Sequence, residues 1–335
     1  MRAVVMNRLG NSQVLDLVTV GKPVPGPEEV LIRVHYAGVN PADWKCREGA
    51  LSSFFTYEFP FVLGFDLSGI VESVGEQVTG FQPGDRVFAQ SDVGMGKWGS
   101  YAEYARVSQG AVVRMPDSLG FAEAAAVPTP ALAAWAGLFD DGGLGTGQTV
   151  LIHGGAGAVG VFAIQFAKTV GARVAVTCSG PNREYLHALG CDYSIDYQQQ
   201  DIAAELRDWA PEGVDMVLDC VGCGTLPDAL DMLRPEGVLV AILTLVAGDP
   251  GPDMTAAERR GLRTALTYSK LPSGPALAEV AELLAAGRVR PPRIDILPLE
   301  EVRNALDLLQ SGKAKRKLVL AVRAEADLGS EQPTD

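Results

Sequence analysis

Residues 149–178 have the sequence TVLIHGGAGAVGVFAIQFAKTVGARVAVTC, and their pattern indicates the fold class. The stretch begins with an apolar run, Thr149–Gly154, which predicts a buried strand. A glycine-rich turn follows, then helical apolar spacing over Ala158–Val170, then a second β-branched run at Arg173–Cys178. Strand, tight turn, helix and strand in this order are typical of a βαβ unit with parallel strands.

Predicted strands and helices continue to alternate along the chain as far as Leu243. Further strands are predicted over Tyr193–Tyr197, Val214–Val221 and Val238–Leu243, and helices over Asn182–Leu189, Asp201–Ala210 and Thr225–Leu233. The strands are rich in Val, Ile and Leu, as expected where helices cover both faces of a sheet. The middle of the chain is therefore predicted to form a doubly wound parallel sheet.

The flanking regions follow other patterns. Before residue 120, short β-branched runs alternate with turn clusters, which predicts a β-rich domain. Near the other end, helices are predicted over Pro272–Ala286 and Leu299–Leu309, a strand over Lys317–Val322, and a loose tail over 324–335.

Composition narrows the function classes. A chain of 335 residues that is 47% hydrophobic suggests two folded domains rather than disorder. With 28 basic and 41 acidic residues, the net charge of −13 makes nucleic acids and anionic membrane surfaces poor partners. No apolar run reaches the ~20 residues of a membrane helix, and no signal peptide is predicted. Five sparse cysteines indicate free thiols, hence a reducing, cytoplasmic location.

The glycine turn is the first candidate binding site. Its spacing is Gly154-x-x-Gly157-x-x-Gly160, in which Gly155 and Ala156 share the tight turn and Ala158 and Val159 follow into the helix. Between a strand and a helix, this pattern predicts a dinucleotide site with the pyrophosphate on the helix N-terminus. The alternative is a tight turn without a ligand.

The end of the second strand favours NADPH over NADH. NAD sites usually place Asp or Glu there for the ribose 2′-hydroxyl. No carboxylate occurs here before Glu184, whereas Ser179 and Arg183 offer a hydroxyl and a guanidinium to a 2′-phosphate. Alternatively, Arg183 is a solvated residue at the start of a helix.

Several motifs together resemble those of a known family. They are residues 37–45 (AGVNPADWK), 60–66 (PFVLGFD), 81–87 (FQPGDRV), 99–104 (GSYAEY), 124–128 (AAAVP) and the glycine turn. The chain resembles the zinc-free quinone oxidoreductases of the medium-chain dehydrogenase/reductase superfamily, from about Val4 to Val322.

The resemblance implies an α/β protein of two domains. A GroES-like β-barrel catalytic domain would comprise residues 1–118 and 270–335, and a Rossmann NADPH-binding domain residues 119–269. The active cleft would lie between them, and the protein would be a homodimer.

The resemblance also predicts that no metal is bound. Zinc-dependent relatives use Cys and a His-Glu pair, where this chain has Asn40 and Phe65-Asp66, and neither Asn nor Phe suits Zn²⁺. No cysteine occurs between Asp85 and Ala124. Cys220 and Cys223 have C-x-x-C spacing, for which a redox dithiol is the alternative to ordinary thiols.

Three residues are candidates for catalysis. By its match to the family motif, Asn40 would hold the nicotinamide ribose or the substrate carbonyl oxygen; an Asx turn before Pro41 is the alternative. Lys45 stands where many relatives have Tyr and could stabilise an enolate oxygen, or be a solvated surface residue. Leu51 occupies the place of the Tyr acid of some enoyl reductases, so Tyr57 or water would deliver the proton.

Further cofactor contacts follow from the resemblance alone. They are Thr129 before a helix, Tyr197 at the adenosine end, Cys220 and Val221 in the family's Asp-x-Val-Gly-Gly segment, and Leu243 and Thr244 at a strand end.

These features predict an NADPH-dependent reductase of small-molecule quinones or α,β-unsaturated carbonyls. A conjugated oxygen accepts charge without a Lewis acid, which suits a metal-free site. Two alternatives stay open: a non-catalytic nucleotide-binding regulatory protein on the same fold, and a tailoring enoyl reductase acting on carrier-bound chains.

Overall fold

The computed structural model describes residues 1–244 and 248–323, so the tail expected at 324–335 lies outside the described residues. The chain divides into two compact units. The first unit contains Met1–Thr129, Leu271–Ala285 and the described residues from Pro291 onward. The second contains Pro130–Lys270 and Ala286–Arg290.

The strands, in chain order, are β1 (Arg2–Met6), β2 (Leu15–Thr19), β3 (Glu29–Gly38), β4 (Phe61–Val62), β5 (Asp66–Val74), β6 (Arg86–Gln90), β7 (Tyr104–Ser108), β8 (Val112–Arg114), β9 (Thr149–His153), β10 (Arg173–Cys178), β11 (Tyr193–Asp196), β12 (Val214–Asp219), β13 (Leu233–Ile242), β14 (Arg263–Thr267), β15 (Ile294–Pro298) and β16 (Lys317–Ala321). The α-helices are α1 (Pro41–Arg47), α2 (Phe121–Ala124), α3 (Pro128–Trp135), α4 (Ala158–Thr169), α5 (Arg183–His187), α6 (Ile202–Trp209), α7 (Met254–Arg259), α8 (Gly274–Ala285) and α9 (Val302–Gln310). Among the described residues, no helix is long and apolar enough to cross a bilayer.

The first unit is built on strands, and the C-terminal segment completes it. Its main sheet has the order β15-β16-β3-β5-β6-β8, and β7 pairs with the first half of β3. Strand β16 runs antiparallel to the end of β3, with Val319 opposite Gly38. A smaller sheet has the order β2-β1-β4. The chain therefore leaves this unit and returns to it, as a split domain requires.

The unit boundary lies slightly later than the sequence suggested. Residues 119–129 belong to the first unit because α2 packs on β3 and β5. The Ser68 hydroxyl donates to the Phe121 carbonyl oxygen at 2.6 Å. A β-carbon at Gly38 would stand only 2.2 Å from the Ala125 carbonyl oxygen, so the two backbones are in close contact. The expected boundaries at 118 and 269 move to 129 and 270.

The second unit is a six-stranded parallel sheet of order β11-β10-β9-β12-β13-β14. The chain starts in the middle at β9, proceeds outward to β11, and returns to build the other half from β12. Strand order therefore reverses between β9 and β12, and ligands of such sheets bind at this switch point, beyond the carboxyl ends of the strands.

One predicted helix is wrong. Instead of a helix over Thr225–Leu233, the chain forms two short 3₁₀ turns at Cys223–Thr225 and Ala229–Met232. Pro227 lies between them and accounts for the break, since it lacks an N–H and disfavours helical backbone at the residue before it. The final residue of the predicted helix, Leu233, begins β13.

Candidate functional site

The glycine turn lies at the switch point of the second unit. Gly154 has φ +87°, a left-handed conformation that favours glycine, and a β-carbon there would stand 2.6 Å from Val221 Cγ2. At Gly160 a β-carbon would be 2.5 Å from the Gly154 carbonyl oxygen. Ala158 and Val159 open α4, and Gly157 before them supplies no side-chain cap. Gly157 therefore leaves the first N–H groups of α4 without a side-chain cap from the N-cap position. Beside this closely packed turn, the start of the helix fits a pyrophosphate.

A residue that sequence reasoning missed holds this turn in place. His153, buried at the end of β9, contacts Thr177 Oγ1 through Nδ1 (2.8 Å) and Thr225 Oγ1 through Nε2 (2.9 Å). Thr177 Oγ1 also accepts from the Gly154 N–H at 3.0 Å, and Thr225 Oγ1 donates to the Gly222 carbonyl oxygen. These bonds assign the proton to Nε2. Burial lowers the pKa of His153, which favours this neutral form.

At the end of β10, the two residues assigned to a 2′-phosphate are both ordered by neighbours. Ser179 Oγ accepts from Asn182 Nδ2 at 3.0 Å. Arg183, the first residue of α5, donates from Nε to Ser194 Oγ (3.0 Å) and from Nη2 to the Ser194 carbonyl oxygen (2.7 Å). The guanidinium is therefore fixed against β11 rather than solvated freely.

The neighbouring strand end brings a carboxylate to the same turn. Asp196 ends β11 in register with Cys178, the last residue of β10. The next residue, Tyr197, is half-exposed and donates its N–H to the Cys178 carbonyl oxygen at 3.2 Å. Tyr197, expected to contact the adenosine end of the cofactor, thus lies at the carboxyl ends of the strands. Asp196 is an acidic group at the same place that was not among the sequence-based candidates.

The remaining candidates of the second unit follow β12 and β13. Asp219 Oδ1 accepts from the N–H groups of Val221 (2.8 Å) and Gly222 (2.9 Å), which shapes the turn beside Gly154. Burial raises the pKa of the Cys220 thiol, and that of Cys223 to about 12. Both thiols are held protonated, which argues against a reactive dithiol.

Leu243 and Thr244 follow the end of β13. The N–H of Leu243 donates to the Thr267 carbonyl oxygen, and the Thr244 hydroxyl donates to Asp249 Oδ2.

In the first unit, Asn40 lies within a polar cluster formed by the buried residues Asn40, Asp43, Asp66 and Lys317 and the partly buried Thr129. Asn40 Nδ2 donates to Asp66 Oδ2 at 2.8 Å, and its Oδ1 accepts from Lys317 Nζ. Lys317 Nζ also donates to the Val39 carbonyl oxygen at 2.9 Å and lies 3.8 Å from Asp66 Oδ2. The amide of Asn40 is therefore fixed in one orientation by Asp66 and Lys317.

The two carboxylates of this cluster have different tasks. Asp43 accepts from the N–H groups of Asn40 (2.6 Å) and Phe65 (3.1 Å) and so caps the start of α1. Asp66 Oδ1 accepts from the Thr129 N–H (2.9 Å) and hydroxyl (2.6 Å). Burial raises the pKa of Asp43 to about 7. It also raises the pKa of Asp66 and lowers that of Lys317, and their mutual attraction opposes both shifts.

Helix α1 gathers the other catalytic candidates. Lys45 lies in its last turn, with Nζ 5.4 Å from the centre of the Trp44 ring. The Tyr57 hydroxyl donates to the Cys46 carbonyl oxygen at 2.7 Å, and burial raises its pKa. Asn40, Lys45 and Tyr57 are thus brought around one short helix.

Comparisons with known proteins agree with both units. The alcohol dehydrogenase GroES-like domain family matches residues 26–117, and the zinc-binding dehydrogenase family matches residues 189–320. The chain is 33% identical to NAD(P)H oxidoreductase RTN4IP1, mitochondrial, of Danio rerio, over 96% of this chain and 91% of that protein. It is also 33% identical to 2-methylene-furan-3-one reductase of Solanum lycopersicum, over 93% and 76%.

A solved structure has the same fold. The quinone oxidoreductase from Coxiella burnetii superposes with a TM-score of 0.85 at 32% identity, covering 96% of this chain and 99% of that one. The predicted fold class, a GroES-like domain with a doubly wound Rossmann domain, is confirmed, and the relatives support a nicotinamide cofactor. The chain belongs to the medium-chain dehydrogenase/reductase superfamily of oxidoreductases, in the branch of quinone oxidoreductases and enone reductases.

Proposed function

We propose that the protein is a zinc-independent, NADPH-dependent reductase that transfers hydride to a small-molecule quinone or to the activated C=C bond of an α,β-unsaturated carbonyl. The observation that carries the proposal is the contact between Lys317 Nζ and Asn40 Oδ1. It puts an ammonium against the residue that stands at the family's first zinc-ligand position. A reductase built on this site needs a substrate that accepts hydride without a metal.

The donor set does not fit zinc. Asn40 engages its amide with Lys317 and Asp66, and Phe65 offers an aromatic ring where zinc-dependent relatives have imidazole. Across residues 1–244 and 248–323, no three His, Cys, Asp or Glu side chains form a group able to hold a metal ion. Prolonged chelation should leave activity intact, and a stoichiometric zinc whose removal abolishes activity would refute this part of the proposal.

The second unit supports NADPH as the cofactor. The turn at Gly154–Gly160 would hold the pyrophosphate at the start of α4. Ser179 and Arg183 would bind the 2′-phosphate through a hydroxyl and a guanidinium that its bonds to Ser194 have already ordered. Because the guanidinium is ordered before binding, little conformational entropy is lost on contact.

The residues proposed to act on the substrate, Asn40, Lys45 and Tyr57, lie at α1. The bound cofactor supplies hydride from the nicotinamide C4. The Lys45 ammonium would stabilise the substrate oxygen as it becomes an enolate. Asn40 has a second Nδ2 hydrogen for a ribose or carbonyl oxygen. Tyr57 would supply the proton after leaving the Cys46 carbonyl oxygen, or water would supply it instead.

A substrate panel tests the proposal. Consumption of NADPH, followed by its absorbance, should occur with enones and quinones after dialysis against a chelator. A nucleotide-binding regulatory protein would bind NADPH without consuming it. Activity confined to carrier-bound acyl chains would favour the tailoring enoyl reductase.

We also propose a homodimer. Strand β14 lies at an edge of the parallel sheet, and Leu266 within it and Tyr268 directly after it are about half exposed. A second copy would cover these apolar side chains and extend the sheet. Light scattering on the purified protein should give twice the monomer mass, and Leu266→Arg should reduce it to the monomer; a monomeric wild type would contradict the proposal.

A cytoplasmic location is a further proposal. All five cysteines are free, and Cys46, Cys178 and Cys191 are buried, which suits a reducing compartment. The name of the Danio rerio relative places that protein in mitochondria. Fractionation of cells that produce the full chain distinguishes the two.

A further inference from the structure

The end of β11 places a negative charge in the proposed cofactor site. Asp196 is buried at the carboxyl end of the strand, where parallel sheets bind ligands. A β-carbon added at Gly180 would stand 2.8 Å from Asp196 Oδ2, so this oxygen lies directly against the Ser179–Gly180 turn. Its other oxygen, Oδ1, accepts from the Gln198 N–H at 3.1 Å, which fixes the carboxylate in this orientation.

The proposed phosphate-binding cation lies on the same side of the strand. Arg183 binds Ser194, and Ser194 and Asp196 share one face of β11 because side chains two residues apart point the same way. The thiol of Cys178 is affected by both groups: burial raises its pKa, the Arg183 charge lowers it and the Asp196 charge raises it. A guanidinium and a carboxylate therefore stand around one turn.

The two charges have opposite effects on the two cofactors. A 2′-phosphate carries negative charge, so a fixed carboxylate beside it repels it. A ribose 2′-hydroxyl is a hydrogen-bond donor, and NAD sites offer it an Asp or Glu, usually from the end of the second strand. Here the carboxylate comes from the third strand and reaches the turn that follows the second.

We infer that Asp196 is a specificity-determining residue, which opposes the 2′-phosphate of NADPH and accepts the 2′-hydroxyl of NADH, so that the chain binds both cofactors. The inference rests on the proposed cofactor site. It differs from the proposed preference for NADPH in that Asp196 limits this preference while Ser179 and Arg183 create it.

Asp196→Asn is the matched test, because asparagine keeps the size and an oxygen for the Gln198 N–H while removing the charge. Dissociation constants for NADPH, NADH, adenosine 2′,5′-bisphosphate and 5′-AMP are measured on the cofactor-free protein by calorimetry. The control is Asp208→Asn, which removes an equal charge from an exposed position on α6. Melting temperatures confirm that each variant is folded.

The expected result is that Asp196→Asn binds NADPH and the bisphosphate about 10-fold more tightly, a change of about 1.4 kcal/mol. NADH and 5′-AMP should bind no better or several-fold more weakly, and the control should change neither. Unchanged constants, or an equal change for all four ligands, would overturn the inference. Tighter binding of NADPH and the bisphosphate by a folded Asp196→Asn variant would support the inference even if the protein reduced no enone or quinone. Adenosine 2′,5′-bisphosphate and 5′-AMP report on binding alone, because they carry no nicotinamide.

Discussion

Replacing Lys317 by Met should destabilise the first unit strongly. The substitution keeps much of the side-chain length but removes an ammonium that donates to the Val39 carbonyl oxygen and to Asn40 Oδ1. At an effective dielectric constant of about 20, unit charges 3.8 Å apart attract by about 4 kcal/mol. Removing one partner of a buried ion pair costs about 3–5 kcal/mol, because the remaining charge is buried without compensation. We expect a loss of about 3–5 kcal/mol in the free energy of unfolding.

The assay must measure the stability of the first unit, which contains the polar cluster. Urea unfolding is combined with hydrogen exchange of the β3 and β16 amides, which pair next to the cluster. Lys315→Met is the control, since Lys315 is exposed two residues away. The double variant with Asp66→Asn should lose at least 1 kcal/mol less than the sum of the single variants, because both charges are then removed. A loss below about 1 kcal/mol for Lys317→Met, equal to the control, would show that the ammonium does not hold the cluster together.

Three further predictions concern binding, rate and pH. Arg183→Ala should weaken NADPH binding by about 1.5–3 kcal/mol, the value of a charged hydrogen bond. NADH binding should stay nearly unchanged in calorimetry, as should both ligands in the exposed control Arg207→Ala; equal losses for the two cofactors would contradict a 2′-phosphate contact. Lys45→Met should lower kcat/KM for enones about 10²–10³-fold with little change in NADPH affinity, as when one oxyanion donor is lost; an unchanged rate would leave Lys45 a structural residue. Asp43 titrates near pH 7 when folded and near pH 4 when unfolded, so its contribution to stability is fully present at low pH and is lost as pH rises through about 7. Urea titrations between about pH 5 and 8 should show this decline, and a flat profile would exclude it.

The parts of the molecule that depend on local conformation could be read from the sequence. The glycine turn needs left-handed backbone at Gly154 and close packing at Gly160. Only glycine meets either requirement without strain, so both positions can be recognised in the sequence. The strands around it could be read because their β-branched runs are continuous. The apolar spacing over 225–233 is typical of a helix, but no helix forms there because Pro227 lacks an N–H and interrupts it.

The polar cluster could not be predicted, because its members meet only after folding. Asn40 and Lys317 are 277 residues apart in the chain, and β16 must pair with β3 before they touch. The carboxylate beside the turn after β10 could not be predicted for the same reason, because it is Asp196 from the next strand and not a residue that follows β10 directly.

Isotopic labelling follows hydride transfer to the conjugated carbon of an enone. NADPH carrying deuterium at the transferred position of C4 is incubated with an enone and the chelator-treated protein, and the product is examined by NMR. Hydride transfer to the enone should place one deuterium on the β-carbon of a saturated ketone, with the proton at the α-carbon drawn from solvent. Deuterium on the carbonyl carbon of an allylic alcohol, or no transfer at all, would contradict it.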